Sequence, residues 1–231
     1  TRRGMDIAET LLVRPANALS ASISHLSGEA GRDKVRSIVL RILRLNAWLL
    51  ALAGGGFVVF NEAFVRLWVG EELYAGILIS GLLCLVMVGR IIFSTMNVLC
   101  QALGEIKRSS LAIFAHSLLT VACLFFGVKY FGMLGAAAAP LAGYALVYIW
   151  YFPQALKRRA GLTSADGLAL LKDGAAAAGV VSLLSLVFIG TRAESWWEFA
   201  FFVILFAGAF AAILLLLSRP ARLEILALQR V

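Results

Sequence analysis

Charged residues are scarce in this chain. Asp, Glu, Lys and Arg make up only 15% of its 231 residues, whereas apolar residues make up 61%. A soluble domain carries about 25% charged residues, and a fold of this length could not bury so large an apolar fraction away from water. The composition therefore excludes an ordinary soluble domain and predicts a protein that is surrounded by lipid.

Residues that bind metals or form disulfides are also few. The chain has three cysteines and two histidines, and Cys84, Cys100 and Cys123 fall in or beside apolar segments without the spacing of metal ligands. No pair of catalytic acids, zinc-protease motif, nucleophile elbow or phosphate-binding loop occurs in the sequence. We therefore expect no metal site, no cofactor and no enzymatic activity.

Long apolar runs dominate what is present. A helix needs about 20 apolar residues to cross a hydrocarbon core of roughly 30 Å. Segments that satisfy this are 42–60, 76–99, 110–128, 133–152, 174–190 and 198–217. Segment 5–25 has a helical period but is more polar, so it is either a crossing that faces protein or water or a soluble amphipathic helix. The sequence predicts an all-α integral membrane protein, a bundle of transmembrane helices.

The net charge of +8 is spread over short polar stretches rather than gathered into one patch, so nucleic acid is not an expected partner. Alternate stretches are rich in Lys and Arg, and such loops remain cytoplasmic. The basic stretches contain Arg32, Lys34, Arg36, Arg41, Arg44, Lys107, Arg108, Lys157, Arg158, Arg159, Lys172, Arg219, Arg222 and Arg230. We expect a basic cytoplasmic loop at 156–173 and a cytoplasmic tail at 218–231, and hence a cytoplasmic C-terminus.

One apolar segment carries a polar stripe. Arg90 is followed by Ser94, Asn97 and Gln101, which share its helix face. A charged side chain within a crossing costs several kcal/mol (about 3 on insertion scales) unless it faces a cavity or a partner. The stripe therefore predicts a cavity that binds an anionic head group, although an arginine that snorkels or binds neighbouring carbonyls would also fit.

Segment 5–25 repeats this pattern more weakly with Arg14 and Asn17, beside Pro15. If Arg14 and Arg90 face the same space, it is electropositive and suits a phosphate or pyrophosphate. The alternative is that Arg14 merely lies at the boundary of an imperfect helix.

His116 lies in segment 110–128 with Thr120 and Cys123 on the same face. A proton relay is one interpretation of this histidine, and a packed side chain that bonds a neighbouring helix is the other. Carboxylates are missing from the interior of the six strongly apolar segments. A cation-coupled antiporter usually needs them.

Four strings resemble the polysaccharide flippases of the multidrug/oligosaccharidyl-lipid/polysaccharide exporter superfamily: 15–29, 64–70, 97–107 and 131–137. The first is similar to the end of a helix before a charged cytoplasmic loop, and the second to the family's short aromatic outer loop. The third is similar to the inner end of a crossing, with its Asn, Gly and Lys, and the fourth to the Gly-x-x-Gly-Ala start of a late crossing. The resemblance as a whole extends over roughly residues 5–155.

The resemblance implies two helical bundles related by a pseudo-two-fold axis, of which residues 1–155 would belong to the second and 174–217 would be an additional C-terminal helix pair. Because the chain opens with Thr1 and no initiator Met, we expect the first bundle, an N-terminal partner, to be missing. The implied function is export of lipid-linked oligosaccharide or polysaccharide precursors across a bacterial-type inner membrane by alternating access. A drug antiporter of the same superfamily and a non-transporting scaffold of polysaccharide assembly remain alternatives.

Overall fold

A computed structural model of the protein describes residues 31–191 and 193–217. Its helices are α1 (Arg32–Val69), α2 (Ile77–Ala102), α3 (Ile106–Gly143), α4 (Ile149–Ala160), α5 (Ser164–Phe188) and α6 (Trp196–Leu217). A 3₁₀ turn at Glu71–Leu73 precedes α2, and a π-helical turn at Tyr144–Tyr148 joins α3 to α4. Five continuous helical stretches are long and apolar enough to cross a membrane. The all-α membrane class that was predicted from composition is confirmed.

The longest of these stretches, Ile106–Ala160, folds back on itself at Gly132. This glycine has φ 57° and ψ −132°, a conformation outside the helical region. A Cβ atom added to Gly135 would lie 2.0 Å from the carbonyl oxygen of Gly127, so the two arms touch through their backbones. The Ser109 hydroxyl and the Tyr151 hydroxyl are 3.4 Å apart further along the arms. Residues 106–160 therefore form a helical hairpin, and segments 110–128 and 133–152 lie in its two arms.

The helices are longer than the apolar segments inside them. Helix α1 begins at Arg32, so the basic residues that were assigned to a loop before segment 42–60 lie in its first turns. String 64–70, expected as an outer loop, is mostly the last turns of α1.

The loop expected at 156–173 is also largely helical. Helix α4 ends at Ala160 with Gly161 in the left-handed conformation, and α5 begins after a capping box between Thr163 and Asp166.

The physical reason for this correction is length. The hydrocarbon core determines where apolar residues stop, but a helix continues wherever its backbone hydrogen bonds can continue. Polar turns at a helix end extend into the headgroup region and keep their charges in water. Charge patterning therefore predicts where the membrane boundary lies and not where the helix ends.

Helix α1 is the centre of the described bundle and contacts α2, α4, α5 and α6. At one end it shares a buried cluster with α2, α3 and α4 that includes Val39, Leu99 and Phe152. At its other end it shares a second cluster with α5 and α6 that includes Phe60, Phe188 and Phe206. Small residues allow α1 and α5 to approach closely, since a Cβ on Gly55 of α1 would lie 1.9 Å from Val181 of α5.

Candidate functional site

The predicted polar stripe lies on α2. Arg90 and Gln101 are exposed, and Ser94 and Asn97 are half-buried. The Gln101 side-chain amide donates a hydrogen bond to the Asn97 side-chain oxygen over 3.3 Å, which joins the last two members along the helix face. Arg90 and Gln101 are 11 positions apart in the sequence, or about 16 Å along the helix. The structure thus places the four stripe residues along one α-helix, and their joint role as a site stays a prediction.

Neighbouring residues show which sides of α2 are occupied. Ile91 is completely buried in a cluster with Leu50 of α1, and a Cβ on Gly89 would lie 2.7 Å from the ring of Tyr144. Successive residues on a helix are about 100° apart. Arg90 therefore lies on a side between the α1 contact and the Tyr144 contact, where the helix is exposed.

The opposite side of α2 lines an apolar groove. Val88 and Ile92 face this groove, and α1 and α5 contribute Gly54, Gly55 and Ser182 among other small residues. The groove is open and has a volume of about 530 Å³. From the helical repeat, its residues on α2 lie about 180° from Arg90. Helix α2 therefore presents an apolar side and a polar side, and in a bilayer only the apolar side suits lipid.

His116 lies inside the hairpin. Its ring stacks on Tyr144 and Tyr148 at centroid distances of 5.0 and 4.3 Å, and a Cβ on Gly143 would lie 2.5 Å from it. Neither its Nε2 atom nor the Thr120 hydroxyl has a hydrogen-bond partner among the described residues, and both atoms are buried. The histidine is packed between the arms of the hairpin and does not join the stripe on α2.

A buried carboxylate with three arginines was not predicted as a site. Glu105 lies between α2 and α3, and only 2% of its side chain is exposed. The Arg159 Nε atom donates a hydrogen bond to its Oε2 atom, while Arg108 and Arg158 each approach Oε1 to 3.7 Å. The hydrogen bond from Arg159 holds the pKa of Glu105 below its usual value, and the three positive charges act in the same direction. String 97–107 included Glu105, but Arg159, which donates the hydrogen bond, is 54 residues away in the sequence.

Ion pairs also join α1 to α5 at the same end. The Arg36 guanidinium binds both carboxylate oxygens of Asp166, at 2.9 and 2.8 Å. Two turns further along, Arg44 Nε donates to Asp173 Oδ2 over 2.7 Å. The sequence predicted only an orientation signal from these arginines, because nothing in the local pattern indicates a partner about 130 residues later.

Arg14 and Asn17, the remaining predicted members of the cavity, lie outside the described residues, and their placement relative to Arg90 stays a prediction. The three cysteines form no disulfide with one another; Cys84 and Cys100 are buried.

Comparison with solved structures finds a similar fold in the lipid II flippase MurJ in an inward closed conformation. The TM-score is 0.61 at 15% sequence identity, and the match covers 92% of this chain. The chain spans 47% of the length of that flippase. No family model matches the sequence, and no curated protein matches it. At this identity the likeness concerns the fold, so the chain is a multi-pass helical membrane protein with an architecture like that of part of a flippase.

Proposed function

We propose that the chain is part of a flippase that exports lipid-linked oligosaccharide or polysaccharide precursors. The observation that carries the proposal is the polar stripe of Arg90, Ser94, Asn97 and Gln101, which lies on the side of α2 opposite the apolar groove. The similarity of the fold to a lipid II flippase supports it. A membrane helix with one polar side needs a partner or a wet cavity on that side.

In the proposed mechanism, the stripe lines a wet cleft between this bundle and an N-terminal bundle. Arg90 would pair with the phosphate or pyrophosphate of the substrate, since guanidinium offers paired donors to such groups. Asn97 and Gln101 would bind the sugar hydroxyls, and Arg14 with Asn17 would add to the cleft from segment 5–25. The lipid tail would remain in the bilayer while the two bundles alternate between openings to either side.

The proposed orientation places the basic helix ends in the cytoplasm of a bacterial-type cell, in its inner membrane, with residues 218–231 also cytoplasmic. The starts of α1 and α5 are joined by the Arg36–Asp166 pair, and the start of α3 is joined to the end of α4 by Glu105 and Arg159. Basic residues from four helix ends therefore share one end of the bundle, which supports this orientation.

We also propose the division of the chain that the family resemblance implied, with 1–155 in the second bundle and 174–217 as a C-terminal pair. Helices α5 and α6 pack on α1 through the cluster of Phe60, Phe188 and Phe206. This contact would keep the pair attached to the bundle while the bundles move against each other.

The antiporter alternative requires a carboxylate that is available to a cation. Among the described residues, Glu105 is the buried carboxylate, and it is bound by arginine. Asp166 and Asp173 are also paired with arginine. These pairings favour the flippase, although an antiporter could use His116 as a proton relay or a carboxylate elsewhere. A scaffold for polysaccharide assembly predicts instead that the charge of Arg90 is dispensable.

The test is transbilayer movement of a fluorescent polyprenyl-pyrophosphate sugar in vesicles that contain the full-length protein. We expect Arg90→Ala to lower the rate at least about tenfold, the effect of losing a charge-assisted pair worth roughly 1.5–3 kcal/mol. Arg14→Ala is expected to lower it in the same direction. The matched control is Arg32→Ala, which removes an exposed arginine from the first turn of α1.

Movement that persists in both Arg90→Ala and Arg14→Ala at normal protein levels would show that these arginines have only a structural role. No movement in the parent would favour the antiporter or the scaffold. Uptake of a cationic drug that depends on a proton gradient, and that His116→Gln abolishes, would establish the antiporter.

A further inference from the structure

The name arginine cluster is used here for Glu105, Arg108, Arg158 and Arg159. It carries three positive charges and one negative charge. Glu105 supplies one negative charge, and its Oε2 atom accepts the hydrogen bond from Arg159. Its Oε1 atom is buried without a hydrogen-bond partner among the described residues. Arg108 and Arg158 lie 3.7 Å from this oxygen, so they are oriented by its charge without being hydrogen-bonded to it.

Both arginine side chains are accessible from the surface. The Arg108 side chain is 69% exposed and that of Arg158 is 48% exposed. They belong to different arms of the hairpin, yet they converge on the same carboxylate oxygen. Two guanidinium groups held this close together can donate to a single phosphate, which accepts paired hydrogen bonds from arginine.

The start of α3 adds to the attraction for an anion. Arg108 lies in the first turn of α3, where the backbone N–H groups lack partners within the helix. The N-cap residue Glu105 makes no capping hydrogen bond with its side chain, because that side chain is turned to the arginines. The positive end of the helix dipole and the two arginines therefore act on the same space.

The surface beside the cluster suits acyl chains. Leu111, one turn after Arg108 on the same face of α3, is 67% exposed. On the other arm, Trp150 lies two turns before Arg158 and is 64% exposed. A basic site at a helix end above exposed apolar side chains matches the layout of a phospholipid, whose phosphate lies directly above its hydrocarbon tails.

We propose that the arginine cluster binds the phosphate of an anionic phospholipid in the leaflet at this end of the bundle, with Arg108 and Arg158 as the donors and Glu105 as the residue that positions them. This site lies on the hairpin and not on α2, so it is separate from the stripe and does not depend on the proposed function. A lipid bound there would join the two arms at the end opposite Gly132.

The experiment is native mass spectrometry of the full-length protein, released from detergent in the presence of phosphatidylglycerol or phosphatidylcholine. The test variant is Arg108→Gln/Arg158→Gln. The control variant is Lys34→Gln/Lys172→Gln, which removes two exposed charges from α1 and α5 at the same end. A basic residue close to a bound anionic lipid strengthens its binding about fivefold, and Lys34 and Lys172 are not part of the cluster. We expect the test variant to lose at least about tenfold in affinity for phosphatidylglycerol and the control to lose less than about threefold.

Equal losses in the two double variants would overturn the proposal, because they would show attraction by general charge. Inorganic pyrophosphate is the second probe. Binding of pyrophosphate as tight as that of phosphatidylglycerol would also overturn the lipid assignment and make the cluster a site for free phosphate. If the double variant fails to fold, Arg108→Gln alone changes the more exposed side chain. It is expected to lose about fivefold, and an unchanged affinity would count against the proposal.

Discussion

Two regions of the bundle achieve close packing by opposite means. In the hairpin, Gly127 and Gly135 allow the backbones of the arms to touch. In the aromatic cluster of Phe60, Phe188, Phe199 and Phe206, large rings from α1, α5 and α6 meet edge to face at 5.5–6.2 Å. Lipid offers little hydrophobic drive to either region, so both depend on van der Waals contact. Close contact in lipid can therefore come from glycines, which have no side chain, or from large rings that interlock.

The largest expected effect is in the hairpin. We expect Gly135→Ala to destabilise the protein by about 3 kcal/mol, the upper end for overpacking, because the atom it meets is a backbone oxygen that cannot rotate away. Thermal unfolding in detergent measures the change. The control is Gly208→Ala in α6, where a Cβ meets nothing within 4 Å. Helix propensity predicts that this control is neutral or more stable by up to about 1 kcal/mol. Equal midpoints for both variants would contradict the backbone contact.

The aromatic cluster should respond less strongly to a single change. Phe206 is 1% exposed and its ring contacts both Phe60 and Phe188. Phe→Ala in a soluble core costs about 3–5 kcal/mol. Part of that cost is transfer from water, which lipid removes, so we expect Phe206→Ala to cost about 2 kcal/mol. The same unfolding assay tests this, with the exposed Phe201→Ala in α6 as the control. A larger loss from the control would show that these rings do not form the contact.

The ion pairs between α1 and α5 should contribute least. The Arg36 and Asp166 side chains are 35% and 13% exposed, and solvent screens such a pair. We expect Asp166→Asn to cost about 1 kcal/mol or less. A double-mutant cycle with Arg36→Gln isolates the pair from the capping role of Asp166. A coupling energy above about 3 kcal/mol would show that the pair behaves as a buried one.

Glu105 predicts a pH dependence at the open end of the hairpin. Its pKa is lowered in the folded state by Arg159, so its contribution is complete above the unfolded value of about 4.3. That contribution is lost as the pH falls through the lower folded pKa. We expect the unfolding midpoint to fall on acidification below about pH 4.3, and to fall less in Glu105→Gln. Parallel pH profiles of the parent and the variant would refute this role of Glu105.

Sequence alone predicted the features that depend on composition over many residues. Hydropathy located the apolar segments, because each must match the thickness of the membrane. The helical repeat placed Arg90, Ser94, Asn97 and Gln101 on one face, which the structure confirms. Their role in binding stays a prediction.

Features that depend on distant partners could not be predicted. Arg36 and Asp166 are 130 residues apart, and each alone is indistinguishable from a solvated charge. The break between segments 110–128 and 133–152 was predicted from hydropathy, but the sequence did not show that Gly132 alone makes the turn. Helix ends were misplaced because charge marks the membrane boundary, whereas capping residues such as Thr163 mark the start of the helix.

The turn at Gly132 has a consequence for biogenesis. With a single non-helical residue between the arms, there is no separate loop to translocate after the first arm has entered the membrane. Residues 106–131 and 133–160 would therefore enter the bilayer together as one unit, and both ends of the unit would remain on the side from which it was synthesised. In the proposed orientation, Lys129 near the tip is the charge within this unit that would be carried across the membrane, and the apolar residues of both arms would offset the cost of moving it.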